Sequence, residues 1–245
     1  MPLKMKKETT SKMKFTSLLT SNSDSLTSVL IDPDCFDLRE TESFLAKLPF
    51  HTDCVFVGGS QVKKGATQKL VRQLKLYTQL PIVLFPGDYS QICSEADALL
   101  FLQLISGDNP EYLIKQQIKA VPYLKNTTLE IIPVGYILID GGKTTSVEKT
   151  SQTKALNPND LDLILHTALA SQYLGHQCVY LEAGSGAKQP VSEKIITTLA
   201  NHLDIPIIVG GGIKNSKAIQ QAFHAGAKML VIGNALEKKE FFIRP

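Results

Sequence analysis

The sequence is poor in the residues that hold metal clusters or form disulfide frameworks. It has four cysteines without a C-x-x-C pair and five dispersed histidines without an H-x-H or H-x-x-x-H pair. These spacings argue against a zinc site and against a disulfide scaffold. Three of the cysteines lie in or beside apolar runs, which favours buried, reduced thiols and predicts a cytoplasmic location.

Long apolar runs and a strong excess of one charge are also missing. No apolar stretch approaches the ~18 residues that span a bilayer, and the basic N-terminal segment lacks the apolar centre of a signal peptide. A net charge of +3 is too small to indicate a nucleic-acid partner. We therefore expect no transmembrane segment, and we expect any contact with lipid to be transient and confined to a membrane surface.

The sequence is rich in short apolar segments that alternate with helical patterns. We predict eight strands, at residues 28–32, 54–57, 81–85, 98–105, 134–139, 178–181, 206–209 and 229–232. Continuous apolar runs are typical of parallel strands buried on both faces, and the alternation predicts one closed TIM-type (β/α)8 barrel over residues 28–245. An open doubly wound sheet is the alternative. Residues 1–27 are expected to form a partly flexible N-terminal extension with a short helix at 15–19.

Two sequence features predict where helices begin. Asp37 and Glu40 have the spacing of a capping box, in which each side chain bonds the backbone of the other residue. Asn157 followed by Pro158 combines a favourable N-cap with a proline suited to the first helical turn. This pair predicts a long helix that ends at Gly175.

Glycines and polar residues collect at the C-terminal ends of the predicted strands, whereas ordinary turn residues such as Pro81 and Pro206 begin the strands. These glycines and polar residues are Asp32, Asp34, Gly87 and the segments 58–60, 140–142, 182–186, 210–212 and 233–234. In a β/α barrel the C-terminal ends of the strands form one mouth, and the active site lies there. The distribution therefore predicts a functional site at the C-terminal mouth of the barrel.

The last two predicted strands are each followed by a glycine loop that leads into a helix. Gly211 and Gly212 follow the seventh strand, and Gly233 with Asn234 follows the eighth. Unhindered backbone N–H groups and helix N-termini at these positions favour binding of a phosphate group. For either loop alone, the alternative is that its glycines serve only to form a tight turn. The pair of loops predicts a phosphate site but does not identify a reaction.

One carboxylate lies at the tip of the sixth strand, within the sequence YLEAGSG at residues 180–186. Because side chains alternate along a strand, Tyr180 and Glu182 share one face, and an unpaired carboxylate is unfavourable on the helix-covered face. We therefore expect Glu182 to face the barrel mouth and to act as a general base toward a substrate hydroxyl. The alternative is a structural carboxylate that is bonded to neighbouring N–H groups.

The first two strands offer oxygen ligands on another side of the mouth. Asp32 and Ser60 follow adjacent strands. A carboxylate and a hydroxyl suit Mg²⁺, which keeps most of its waters and bridges substrate phosphates. Asp32 could instead be the acceptor of the turn that it forms with Pro33 and Asp34, and a turn or capping role is favoured for Asp34.

Five segments, LIDPD, FVGGS, YLEAGSG, VGGGI and VIGNA, occur in this order between residues 30 and 236. In order and spacing they resemble the geranylgeranylglyceryl phosphate synthase family, which includes heptaprenylglyceryl phosphate synthases, and most closely its second group. The resemblance implies a Mg²⁺-dependent prenyltransferase of ether-lipid and phospholipid biosynthesis. It implies that sn-glycerol 1-phosphate is joined to a polyprenyl diphosphate, foremost geranylgeranyl diphosphate, with release of diphosphate.

The same resemblance implies ligand contacts residue by residue. Asp32 and Ser60 match the family's Mg²⁺ ligands, and the contacts to sn-glycerol 1-phosphate match Tyr180, Leu181, Glu182, Ala183, Gly184, Ser185, Gly186, Gly211, Gly212, Gly233 and Asn234. One departure concerns the lysine that usually follows the D-P-D motif, which is Cys35 here. A basic contact near the diphosphate is therefore missing or supplied elsewhere, and Lys143 in the polar loop 140–154 is a candidate substitute.

Three other interpretations differ in class. A sugar-phosphate isomerase would share the glycine loops but work without a metal, an FMN-binding oxidoreductase would be yellow, and a binding barrel would not turn its ligand over. The apolar segment 101–105 could line a groove for a prenyl chain, although barrel core is the favoured interpretation. We also expect a homo-oligomer formed through helix faces, and the sequence leaves the prenyl chain length open.

Overall fold

The computed structural model describes residues 14–21, 25–49 and 51–233, which form a closed barrel of parallel strands. Each strand pairs with the next, and the eighth closes on the first through the pair Ser28–Val231. The strands are β1 Leu26–Ile31, β2 Cys54–Val57, β3 Ile82–Leu84, β4 Ala98–Leu104, β5 Glu130–Leu138, β6 Cys178–Glu182, β7 Ile207–Gly210 and β8 Met229–Ile232. The predicted (β/α)8 barrel is confirmed, and the open sheet is excluded.

Helices cover the outside of the barrel and one of its ends. They are α1 Phe15–Thr20, α2 Thr41–Leu45, α3 Ala66–Tyr77, α4 Gln116–Leu124, α5 Ser146–Ser151, α6 Leu161–Tyr173, α7 Glu193–Ala200 and α8 Ser216–His224. A π-helical turn at Glu111–Lys115 runs directly into α4, and β3 is followed by only a short 3₁₀ turn at Tyr89–Gln91. The helix predicted after β8 lies outside the described residues. No helix within the described residues is long and apolar enough to cross a bilayer.

Alternate strand residues form two separate layers of core. Phe56, Tyr136 and Tyr180 belong to the layer that fills the barrel, whereas Val179 and Leu181 pack outward against helices. Most strand residues are therefore buried on both faces of the sheet, which explains the short apolar runs in the sequence. The ring of Phe85 stacks on Tyr180 at 4.9 Å between centroids, and Tyr180 stacks on Tyr136 at 5.4 Å. This aromatic stack forms the floor beneath the C-terminal mouth.

The short helix predicted at 15–19 lies at Phe15–Thr20 and closes the N-terminal end of the barrel. Phe15 and Leu19 are buried, and the Phe15 ring meets Phe56 edge-on at 5.9 Å. Glu130, at the start of β5, accepts hydrogen bonds from the Phe15 N–H at 2.6 Å and the Thr16 N–H at 3.0 Å. A carboxylate at a helix N-terminus is stabilised by the unpaired N–H groups there. The N-terminal extension is thus tied to the barrel at this helix.

Both predicted helix starts are wrong in detail. The Asp37 carboxylate accepts from the Arg39 N–H and caps a 3₁₀ turn at Leu38–Glu40, so no capping box forms before α2. Helix α6 begins after Asp160, whose carboxylate accepts from the Leu163 N–H at 3.1 Å. Asn157 instead closes a separate turn by accepting from the Asn159 N–H at 3.0 Å. Asp37 and Asn157 each bond the N–H two residues on, which stabilises a turn in competition with a helix.

Candidate active site

A cavity of about 590 Å³ opens at the C-terminal mouth, and residues that follow or end all eight strands line it. One part is polar and rich in glycine, with walls from the loops after β1, β2, β6, β7 and β8. The other part is apolar and is bounded by β4, α4 and α5. Its walls include Leu102, Leu104, Tyr112, Ala120 and Val147. One space can therefore take a ligand that is charged at one end and apolar at the other.

Glu182 lies in the polar part, directly above the aromatic stack. Its side chain points into the barrel, as strand alternation predicts, and only 7% of its surface is exposed. The Gly184 N–H donates to Glu182 Oε1 at 2.6 Å. Burial raises the pKa of Glu182 to about 7, although the Gly184 N–H and the nearby Tyr180 hydroxyl act in the opposite direction. A carboxylate with such a pKa in a cleft is suited to general base catalysis near neutral pH.

Tyr180 places a neutral hydroxyl beside this carboxylate. The side chain is fully buried, and burial together with the Glu182 charge raises its pKa well above the ordinary value, so that the hydroxyl keeps its proton. No hydrogen-bond partner for this hydroxyl lies within ordinary distance among the described residues. It is therefore available to a ligand or to the Glu182 carboxylate after a small movement.

The loops after β6 and β7 touch each other around Glu182. A Cβ atom on Gly211 would overlap Glu182 Oε1 and would lie 2.6 Å from the Gly184 nitrogen, so only glycine fits at this position. Gly184, Gly186, Gly211 and Gly212 all have positive φ angles, between +70° and +97°, and all four line the cavity. Consecutive glycines in such conformations form concave surfaces of backbone N–H groups that attract anions. Gly233 lines the same cavity, whereas Asn234 lies outside the described residues.

Asp32 and Ser60 lie on the other side of the polar part. Asp32 Oδ1 accepts from the Asp34 N–H at 2.9 Å, and a Cβ atom on Gly59 would lie 3.0 Å from Asp32 Oδ2. The carboxylate is half-buried, and this desolvation raises its pKa above the ordinary value. Ser60 lines the cavity from the adjacent loop. The two side chains offer the hard oxygen donors that Mg²⁺ prefers, and a nearby cation would relieve the desolvated charge.

Asp34 has the structural role that the sequence favours for it. Its carboxylate accepts from the Lys63 N–H at 3.1 Å and so joins the loop after β1 to the loop after β2. Cys35 is exposed, and its N–H donates to the Asp32 carbonyl at 3.2 Å. The residue at the lysine position of the motif therefore belongs to the turn that holds Asp32.

The structure places Lys143, the candidate substitute for this lysine, beside the glycine loops. Lys143 Nζ lies 3.6 Å from the position that a Cβ atom of Gly186 would take, beside the loop after β6. Strand β6 is three strands away from β1 around the barrel. The loop after β5 folds over its neighbour β6 and does not reach across the mouth, so Lys143 lies on the side of the glycine loops.

Sequence reasoning missed the contribution of the loop 140–154. This segment contains α5, and Thr145, Ser146, Val147, Lys149, Thr150 and Ser151 line the cavity. The helix begins with a complete capping box, in which Thr145 accepts from the Glu148 N–H at 3.0 Å and Glu148 accepts from the Thr145 N–H at 2.6 Å. The T-x-x-E spacing was the signal that could have revealed this helix. In segment 101–105, Leu102 and Leu104 line the cavity. Leu104 also belongs to the barrel interior, and Leu102 packs against it.

The fold and the site define a class, that of β/α barrel proteins with a glycine-rich mouth and a buried carboxylate. Within this class the chain belongs to the PcrB family, which it matches over residues 25–244. It is 51% identical over 216 residues to a protein of Zunongwangia profunda named geranylgeranylglyceryl phosphate synthase, covering 88% of this chain and 92% of the relative. A protein of the same name from Pyrococcus furiosus is 37% identical over 212 residues, covering 85% of this chain and 83% of that one.

A solved structure gives the same result. The fold superposes with a TM-score of 0.84 on (S)-3-O-geranylgeranylglyceryl phosphate synthase from Thermoplasma acidophilum, which was solved in complex with its substrate sn-glycerol-1-phosphate. The two sequences are 33% identical, and the match covers 92% of each chain. The family resemblance seen in the sequence motifs is therefore confirmed.

Proposed function

We propose that this protein is a prenyltransferase that joins sn-glycerol 1-phosphate to a polyprenyl diphosphate through an ether bond and releases diphosphate. Geranylgeranyl diphosphate is the foremost donor, and the product belongs to ether-lipid and phospholipid biosynthesis. The observation that carries the proposal is the position of Glu182, between glycine loops suited to a phosphate and a continuous apolar cavity. The names of the relatives and the substrate in the neighbouring structure support the same reaction.

The acceptor fits the part of the mouth formed by β6, β7 and β8. Backbone N–H groups of the loops that contain Gly186, Gly211, Gly212 and Gly233 would hold the phosphate without a metal. The remaining contacts implied by the family motif are those of Tyr180, Leu181, Ala183, Gly184, Ser185 and Asn234. With the phosphate held there, the glycerol chain extends toward Glu182, and its free primary hydroxyl lies within reach of the carboxylate.

The reaction is a displacement at C1 of the prenyl group. The hydroxyl oxygen of the acceptor forms a bond to C1 while the bond from C1 to the diphosphate oxygen breaks, and the electron pair leaves with the diphosphate. The hydroxyl proton passes to Glu182, which is largely ionised above a pKa of about 7. A positioned general base typically contributes ~10²–10⁴-fold to the rate. Product release and loss of the proton to water restore the carboxylate.

The donor diphosphate fits the part of the mouth formed by β1 and β2. Asp32 and Ser60 would hold Mg²⁺ there, since their oxygens are the donors that this ion prefers and the substrate supplies further ones. The bound ion would neutralise charge on the leaving diphosphate. The prenyl chain would lie in the apolar part of the cavity, along β4, α4 and α5.

The test is a product analysis with purified protein, Mg²⁺ and prenyl diphosphates of several lengths. We expect a product whose mass equals sn-glycerol 1-phosphate plus the prenyl group, with one diphosphate released per ether formed. The enantiomeric 3-phosphate should react far more slowly. Binding of sn-glycerol 1-phosphate without diphosphate release would favour a binding barrel, turnover without metal would favour an isomerase, and a yellow protein would favour an FMN enzyme.

We further propose a cytoplasmic location and self-association. The four cysteines form no disulfide in the described part of the chain, and three of them are buried, which suits a reducing compartment. Ile114, Ile118 and Val121 are each more than half exposed and form one stripe on the outer face of the segment that ends in α4. Such a stripe is suited to a subunit contact or to brief contact with a lipid surface, and light scattering would give the mass in solution.

A further inference from the structure

We propose that Lys143 binds the phosphate of the acceptor and completes the acceptor site from the side of β5. This proposal rests on the proposed function, since it assigns the phosphate of sn-glycerol 1-phosphate as the ligand. The Lys143 ammonium lies 3.6 Å from the position that a Cβ atom of Gly186 would take. Gly186 belongs to the glycine loop after β6 that lines the cavity.

The chain on both sides of Lys143 is fixed to this loop. Gly141 O accepts from the Lys188 N–H at 3.0 Å and from the Gln189 N–H at 3.3 Å, which joins the loops after β5 and β6. On the other side, the methyl group of Thr145 packs so closely on Gly184 that a side chain at Gly184 would overlap it. Because both flanks are anchored, the backbone of Lys143 is held beside the glycine loop, and the side chain starts from there.

The ammonium has no anionic partner among the described residues. The two acidic side chains nearest to it in sequence are engaged elsewhere, since Asp140 accepts from the Gly142 N–H at 2.8 Å and Glu148 accepts from the Thr145 N–H at 2.6 Å. Lys143 itself is exposed, so its flexible stem can follow a ligand. An unpaired ammonium next to a concave surface of N–H groups is an arrangement that attracts a phosphate dianion.

The contribution should be partial and not absolute. Lys214, which follows the glycines after β7, also lines the cavity and can share the phosphate charge. The backbone N–H groups remain when the lysine is removed. We therefore expect loss of Lys143 to weaken acceptor binding without abolishing it, and to leave the chemical step intact because Glu182 is unchanged.

The test compares K143Q, K143R and K154Q with the wild-type protein. For K143Q we expect about a tenfold rise in KM for sn-glycerol 1-phosphate, with kcat within about twofold of wild type. The dissociation constants for sn-glycerol 1-phosphate and for inorganic phosphate, measured by calorimetry without prenyl donor, should rise by a similar factor. K143R should retain most of the affinity. K154Q removes the same charge from the same loop, but Lys154 lies in a separate surface cleft with Asp140 and Glu148.

Three outcomes would overturn the proposal. They are an unchanged affinity of K143Q, a loss confined to kcat, and an equal effect of K154Q, which would mean that only the overall charge matters. Failure of the wild-type protein to form an ether would refute the proposed function instead. Phosphate binding by calorimetry would still decide the role of Lys143 in that case.

Discussion

The two sides of the barrel mouth that we propose for the acceptor and for the donor are built on different principles. On the acceptor side the loops after β6 and β7 are in contact, and the buried Glu182 is held by the Gly184 N–H at 2.6 Å. On the donor side a half-buried Asp32 and Ser60 offer side-chain oxygens. Backbone dipoles fixed by the fold can hold a phosphate monoester without a metal. A leaving diphosphate carries more charge, and in the proposed function Asp32 and Ser60 would hold a cation that balances it.

The largest effect is expected from Glu182→Gln. Turnover should fall by ~10²–10⁴-fold because the base is lost, while the dissociation constant for sn-glycerol 1-phosphate should change little. The measurements are steady-state kinetics and calorimetry. Glu193→Gln, at an exposed position in the first turn of α7, is the matched control and should keep normal turnover. Near-normal turnover of the Glu182 variant would show that this carboxylate is not the base.

The same substitution should stabilise the fold at high pH. Burial raises the pKa of Glu182 from 4.5 to about 7, so the folded protein keeps this proton at pH values where the unfolded chain has lost it. Stability is therefore lost as the pH rises from about 4.5 to about 7. Urea denaturation at pH 8 should find Glu182→Gln more stable by on the order of 3 kcal/mol, with no gain at pH 4. A Glu182→Gln variant that is less stable than the wild type at pH 8 would contradict the unfavourable burial of a charged Glu182.

The next largest effect is expected from Gly211→Ala. The added methyl group would overlap Glu182 Oε1, and φ at this residue is +81°, so both the loop and the carboxylate must move. Acceptor binding should fall by more than about a hundredfold. Gly175→Ala is the control, because it has φ +87° but no atom within 4 Å of the added carbon. If both variants bind the acceptor equally well, the close approach of the two loops is not functional.

A smaller and more selective effect is expected from Asp32→Asn. Activation by Mg²⁺ should require about tenfold more metal, because one anionic oxygen is lost, whereas acceptor binding should be unaffected. Activity titrations with Mg²⁺ give the shift. Asp34→Asn is the control, since Asp34 bonds the Lys63 N–H and belongs to the turn. An unchanged Mg²⁺ titration for Asp32→Asn would place the metal elsewhere.

The smallest effect is expected from Tyr180→Phe. The aromatic stack is kept, but the hydroxyl that lowers the pKa of Glu182 is gone. The pKa of Glu182 should rise further, which moves the lower limb of the kcat–pH profile upward by less than about one unit. A limb that stays in place, or moves to lower pH, would show that the hydroxyl does not act on Glu182.

Most of the barrel could be predicted from the sequence because strands that are buried on both faces are recognisable as short apolar segments. Each strand contains a short apolar run, and Tyr180 and Glu182 face inward as alternation requires. The start of α6 is harder to predict than the strands, because Asn157 and Asp160 both carry capping side chains. Only the path of the chain decides which of them caps a turn and which caps the helix. Sequence spacing does not record that competition.

The site residues at the ends of strands could be predicted from the sequence. Those whose position depends on the path of a long loop could not. Positions of Asp32, Ser60 and Glu182 at the mouth follow from the order of the strands. The position of Lys143 depends on hydrogen bonds from Lys188 and Gln189 to Gly141, which join residues 47 and 48 positions apart in sequence. The raised pKa of Glu182 likewise depends on burial by several strands together.

The contrast between the two sides is tested most directly by ligand binding with and without metal. Calorimetry would measure sn-glycerol 1-phosphate binding in the presence of Mg²⁺ and then in excess EDTA, without prenyl donor, and would repeat both titrations with a non-reactive thio analogue of the prenyl diphosphate. We expect an unchanged dissociation constant for the acceptor and a large loss of affinity for the donor analogue in EDTA. Loss of acceptor binding in EDTA would contradict a metal-free acceptor site built from glycine loops.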